Sequence, residues 1–199
     1  NKFVYISYTS EDHLVVDEYS NNFSKVRNII KIAGTKPFHH AGTLVFDNHG
    51  RLYLSVGDGV DSSGQDQENN AQNLNSLRGK ILRLDVSKLK LEPEIVAYGL
   101  RNPWKVSIDS KNRMFIGDCG WDAVESVYLL NDLYSVKPYN LGWPVFEGSK
   151  RNKGDPLMFK DTLAPIYEYE RSGRPGCSIG GYYLDHLEVY LFGDLFGTL

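Results

Sequence analysis

An eight-residue pattern that occurs twice limits the possible folds more than any other feature of the chain. Asp47-Asn48-His49-Gly50-Arg51-Leu52-Tyr53-Leu54 is matched by Asp109-Ser110-Lys111-Asn112-Arg113-Met114-Phe115-Ile116. Each copy reads acidic, turn pair, Gly or Asn, Arg, apolar, aromatic, apolar, and each is followed by Gly-Asp, at Gly57-Asp58 and Gly117-Asp118. A turn cluster between short runs of β-formers is a hairpin signal, clearest where residues 44–46 and 52–56 flank Asp-Asn-His-Gly. An antiparallel pair brings its outer ends together, so the polar residues His39-His40 and Gly57-Asp58 emerge side by side. A weaker copy, Val189-Tyr190-Leu191-Phe192-Gly193-Asp194, lies near the end, and residues 3–7 with 14–16 make a fourth candidate.

The copies recur every 50 to 75 residues or so, the long end of propeller-blade periods. Further short strands are expected at residues 80–85, 95–98, 127–130 and 166–169. Residues 66–77, rich in Asn and Gln, read as loop, so no amphipathic helix is expected. Four short strands per repeat predict an all-β fold of radial blades, a β-propeller, with a β-sandwich as the competing arrangement. The 199 residues suffice for about three to four blades, and closure needs about four or more. The expectation is a partial propeller domain over residues 1–199, a piece of a longer chain or a mature product that starts at Asn1.

Composition excludes more than it assigns. A formal net charge of −3 gives no reason to expect nucleic acid or an anionic membrane as partner. No apolar run approaches the roughly 18 residues of a spanning helix. Two cysteines, Cys119 and Cys177, permit one disulfide without requiring it.

Several motifs offer chemistry, each beside a plainer explanation. His39, with His40, precedes a strand near Asp58 and has the pKa range of a general base, or is a solvated loop residue. Arg101-Asn102, before Pro103, offers a planar donor fork and an amide suited to a carbonyl or carboxylate, or ties blades together. Asp118, Asp122 and Glu125 crowd a Gly-containing loop that can supply oxygens to Ca²⁺ or form an ordinary acidic turn. Trp143, braced by Gly142 and Pro144, is a flat platform or a core residue. Asp61, Asp66 and Glu68 lie in a long polar loop over residues 58–72, a cation site or solvated chain.

In this order the motifs resemble the glucose/sorbosone dehydrogenase family. They are His39-His40-Ala41-Gly42, the run from Leu52 to Asp58, Ala71-Gln72-Asn73-Leu74 with the run from Leu77 to Arg83, Gly99-Leu100-Arg101-Asn102-Pro103, Gly117-Asp118-Cys119-Gly120, Asn140-Leu141-Gly142-Trp143-Pro144 and Gly176-Cys177-Ser178. The resemblance implies a six-bladed propeller, of which this chain would hold three to four blades, with the quinone PQQ on the axis beside Ca²⁺. It implies an exported oxidoreductase, periplasmic or secreted, that passes hydride from an aldose sugar to the quinone and then to an electron acceptor. By the same resemblance His39 is the general base, and Arg101 and Asn102 polarise the quinone oxygens. Gly120 and Trp121 would ligate Ca²⁺ through backbone carbonyls, with Glu125 as an acidic position of the same loop, and Trp143 would lie near the sugar. Leu141 and Ser126 depart from the family pattern. Relatives resembling hedgehog-interacting protein keep such a propeller as a non-catalytic surface for a protein or glycan, which is the alternative function. A propeller would also bring Cys119 and Cys177 to one face.

Overall fold

Asp47 and Asp109 build the same turn, and the sequence repeat is a repeat of this turn. Oδ1 of Asp47 accepts from the N–H groups of His49 and Arg51, and Oδ1 of Asp109 from those of Lys111 and Arg113. The closing position is left-handed in both, with φ 78° at Gly50 and 56° at Asn112. Gly and Asn are the residues that take up that conformation at least cost.

The protein is described by a computed structural model for residues 3–34, 38–60, 63–154 and 161–197, and these contain strands and turns but no helix. The first sheet has the order β1 (Phe3–Ser10), β2 (His13–Ser20), β3 (Lys25–Ala33). The second runs β4 (Ala41–Phe46), β5 (Leu52–Val56), β6 (Lys80–Leu84), β7 (Glu94–Tyr98), and the third starts with β8 (Pro103–Ile108), β9 (Met114–Asp118) and β10 (Val124–Leu130). The short β11 (Tyr139–Asn140) then adds to β7, β12 (Phe146–Glu147) pairs with β13 (Lys150–Arg151), and β14 (Tyr167–Glu170) completes the third sheet beside β10. A fourth sheet holds β15 (Ser178–Leu184) and β16 (Val189–Asp194). Apart from the parallel β7–β11 pair, all pairing within these sheets is antiparallel.

Burial distinguishes blades from a sandwich. A sandwich sheet buries one face, whereas β5 and β6 bury both. Leu52, Leu54 and Val56 join Leu82 and Leu84 in a cluster with Leu14, Val16 and Ile32 of the first sheet. Tyr53 and Ile81 point the other way, into a cluster with Met114, Ile116, Tyr128 and Leu130 of the third. Strand side chains alternate between faces, so a β-strand apolar at every position is the signature of a sheet wedged between two others. Strand β4 packs on β8, and β8 on β15, so the first strands of successive sheets meet at a common hub. The all-β propeller expected from the repeat is the observed architecture, with a five-stranded and a four-stranded sheet between two smaller ones.

Candidate functional site

Three segments lead into the hub strands: His39-His40 before β4, Arg101-Asn102 before β8, and Gly176-Cys177 before β15. A Gly-Asp pair at the end of each blade's next strand clamps them. Asp118 accepts from the backbone N–H of Arg101 at 3.0 Å and of Asn102 at 2.7 Å. Asp194 accepts from the N–H of Cys177 at 2.8 Å. Asp58 instead takes a side chain, with Oδ1 2.8 Å from Nδ1 of His39. The repeated Gly-Asp is therefore a fastening for the residues that face the hub. Gly57 is required beside it, since a Cβ there would lie 2.0 Å from the carbonyl oxygen of His39.

His39 and Asp58 form an oriented pair. The second carboxylate oxygen of Asp58 accepts from Nε1 of Trp143 at 2.8 Å. With Oδ1 accepting from Nδ1–H, the imidazole keeps the lone pair of Nε2, an assignment made from this hydrogen-bond network. Burial, and then the guanidinium of Arg101, hold the His39 pKa well below its ordinary value, so the ring is neutral at pH 7. Burial pushes the Asp58 carboxyl up, while Arg101 and the Trp143 N–H oppose that shift.

A cavity of about 510 Å³ opens at the hub, lined by His39, Arg101, Asn102, Gly120, Trp121 and Arg171, with Cys119 and Cys177 in its wall. Those two cysteines form a disulfide. The side-chain oxygen of Asn102 is buried without a hydrogen-bond partner. The guanidinium of Arg101 donates to the carbonyls of Cys119 at 3.1 Å and Gly120 at 2.6 Å, and to Gly64 at 3.1 Å. Arg171 donates to the carbonyls of Trp121 and Gly176 and, at 2.9 Å, to Glu125. Burial lifts the carboxyl of Asp118 to about 7 against the pull of its two backbone donors.

The Gly120 loop is shaped by two carboxylates. Oε1 of Glu147 accepts from the N–H groups of Trp121, Asp122, Ala123 and Val124 at 2.7 to 3.2 Å. Glu147 lies beyond the Trp143-Pro144 turn, and no sequence periodicity marks it. Replacing it with alanine leaves these donors without an acceptor and is expected to cost about 3 kcal/mol, read as a lowered urea midpoint. Glutamine, which keeps the acceptor oxygen, is expected to recover most of that loss.

His39, Arg101, Asn102, Gly120 and Trp121 thus meet around one cavity, and three expectations need correction. Trp143 does not line it: the indole is 3% exposed, packs behind Arg101 with the guanidinium 5.5 Å from the ring centroid, and braces Asp58. Glu125 does not face it either. Its carboxylate is fully buried and both oxygens are engaged, by the N–H groups of Gly120 and Ser178 and by Arg171. The carbonyls of Gly120 and Trp121, expected to ligate Ca²⁺, are each taken by an arginine. Of the polar-loop acids, Asp66 accepts from the N–H groups of Asn70 and Ala71, while Asp61 lies outside the described residues. No helix among the described residues is long and apolar enough to cross a membrane.

Comparison with known proteins agrees with this architecture. The HIPL1 protein of Arabidopsis thaliana is 33% identical over 88% of this chain and 31% of its own length. Aldose sugar dehydrogenase YliI of Escherichia coli strain K12 is 27% identical over 67% of this chain and 38% of its own. The PQQ-bound form of aldose sugar dehydrogenase from Streptomyces coelicolor superposes with a TM-score of 0.68 at 21% identity, covering 92% of this chain and 53% of that one. The chain therefore spans well under half the length of those curated relatives and about half of the solved structure. A family model described as Glucose / Sorbosone dehydrogenase matches residues 1–188, nearly the whole chain, and the chain belongs to the glucose/sorbosone dehydrogenase family.

Proposed function

We propose that this chain supplies the base and the quinone-facing wall of a PQQ-dependent sugar dehydrogenase site. The observation that carries this reading is the meeting of a neutral, oriented His39 with Arg101 and Asn102 around one cavity. The cavity fits the cofactor by its chemistry. PQQ is a planar tricarboxylate, and two guanidinium groups line the walls while no carboxylate among the described residues does. Asn102 adds a buried amide whose oxygen has no protein partner. When bound, PQQ supplies the two-electron acceptor for hydride leaving the sugar's anomeric carbon.

The chain's own residues do the rest. Nε2 of His39 takes the proton of the anomeric hydroxyl, and the charge that appears on the ring is stabilised by Asp58. Arg101, fixed by carbonyls on three sides, and Asn102, fixed by Asp118, present donors where negative charge develops, without reorganising. No step is assigned to calcium, because the carbonyls it would use are engaged. The disulfide fits an oxidising compartment, the periplasm or the cell exterior.

Titrating the chain with PQQ while following tryptophan fluorescence, then assaying aldose-dependent dye reduction, tests this. Saturable quenching and sugar-dependent turnover are expected. Absence of quenching would sink the reading in favour of a non-catalytic propeller that binds a protein or glycan. The second reading draws on the same occupied carbonyls and on the similarity to HIPL1.

A further inference from the structure

We infer that Arg171, together with Arg101, supplies the positive charge at the Gly120 loop in this chain, in place of a divalent cation. Only the identity of the cavity's ligand rests on the reading above; the question of which cation the loop holds stands apart from it.

Arg171 lies on the turn between β14 and β15, and all three of its guanidinium nitrogens are used. Nε donates to Glu125 at 2.9 Å, and the two terminal nitrogens donate to the carbonyls of Trp121 and Gly176. Gly176 makes the room: a Cβ there would come within 3.3 Å of Arg171 and Glu125. Arg101 takes the neighbouring carbonyls of Cys119 and Gly120. The carbonyl oxygens of residues 119–121 are thus already paired with fixed cations. Ca²⁺ takes six to eight oxygens at 2.3 to 2.6 Å, drawn from carboxylates, carbonyls and water. Among the described residues no carboxylate lines the cavity. Of the buried acids beside the loop, Glu125 is committed to Arg171 and two backbone donors, and Glu147 to four backbone donors. An ion on these carbonyls would displace both guanidinium groups and leave them facing it.

A fixed guanidinium suits a planar carboxylate or quinone oxygen better than a mobile ion does, because its donor fork is rigid and its charge does not titrate. The ligand class is then an anionic, planar molecule held without added metal.

The test uses the whole chain carrying Glu11→Gln and Asp12→Asn. These substitutions remove the Glu11-Asp12-His13 group, the one His and carboxylate cluster among the described residues that could hold an ion. After EDTA treatment the protein is titrated with Tb³⁺, and luminescence is excited through tryptophan. Trp104 and Trp121 line the cavity, and Trp143 lies behind Arg101. With Arg171 present, no saturable signal that Ca²⁺ displaces is expected up to about 1 mM, the weak end of calcium sites. Arg171→Gln, which frees the carbonyls, is expected to gain a site at least tenfold tighter than that limit. Arg171→Lys keeps the charge and is expected to gain none. A Ca²⁺-displaceable signal in the Arg171 protein would overturn the inference, and so would a folded Arg171→Gln chain that gains no site. If the glutamine variant does not fold, the titration of the Arg171 protein decides alone. PQQ quenching in EDTA is a separate readout, and its loss would sink the proposed function rather than the assignment of the cation.

Discussion

Replacing His39 with glutamine should lower aldose turnover of the PQQ-loaded protein by about 10²- to 10⁴-fold, the usual contribution of a positioned general base. PQQ affinity should stay close to its original value, because Arg101 and Asn102, the proposed quinone-facing donors, are held by Cys119, Gly120, Gly64 and Asp118 rather than by the imidazole. The pH profile gives a sharper readout. Burial and Arg101 hold the His39 pKa below 6.5, so the free base persists into acid and the acid limb of kcat/KM should fall below pH 6.5. Stability carries the same signature. The unfolded chain protonates this histidine more readily than the folded one, so stability falls as pH drops below 6.5 through the folded pKa. His39→Gln removes that slope together with the activity. Asp58→Asn provides the positioning control: it keeps the ring in place but no longer stabilises the charge it acquires. Its turnover should fall with little change in sugar KM. Near-parental turnover in His39→Gln at pH 7 would eliminate this residue as the base.

The blades were legible because their determinants are local. The Asp47 and Asp109 turns are set by five consecutive residues each, and a Gly-Asp pair follows each within one short strand, so both survive as visible repeats. The apolar run 52–56 carried a second message, burial on both faces, which separates a wedged blade from a sandwich sheet. The hub was partly legible. Residues that precede a hub strand share one end of the fold with those that follow the next strand, and this brought His39, Arg101 and Gly120 together. The side chains that arrive from other segments were not legible. Glu147 reaches the Gly120 loop from the hairpin β12–β13, and Arg171 from the turn after β14, and neither position belongs to a repeat. Trp143 shows the limit most clearly. Gly-Trp-Pro fits a sugar platform and a core brace equally well. What decides between them is the buried Asp58 carboxylate, 85 positions away in sequence, which needs a second donor. Glu125 has the same history: an acid in a glycine loop resembles a metal ligand until the N–H groups of Gly120 and Ser178 claim it.

Substituting serine for both Cys119 and Cys177 should destabilise the chain by about 4 kcal/mol. The bond closes a loop of 58 residues, and the chain-entropy relation assigns roughly that penalty to releasing it in the unfolded state. Much of the fold between the cysteines, β10, the β12–β13 hairpin and β14, lies inside this loop. Native packing between the third and fourth sheets does not depend on the bond alone. Phe115 stacks on Tyr183 and Tyr190 with centroids 4.8 Å apart. A Cβ on Gly117 would lie 2.4 Å from the Gly180 Cα, so the two glycines let β9 and β15 approach closely. The reduced protein should therefore keep its sheets and lose stability chiefly through the freedom of its unfolded chain. Equilibrium denaturation of the parent and the double-serine variant gives the number, and a difference under about 1 kcal/mol would show that the unfolded loop is already constrained. The cavity should respond as well. Cys119 follows β9 and is held by the Asn102 carbonyl, and Cys177 is held by Asp194, so the bond ties the end of β9 to the lead-in of β15. Cutting it loosens the wall where the carbonyls of Cys119 and Gly120 hold Arg101. PQQ binding should weaken in the serine variant even under conditions where the sheets remain fully folded.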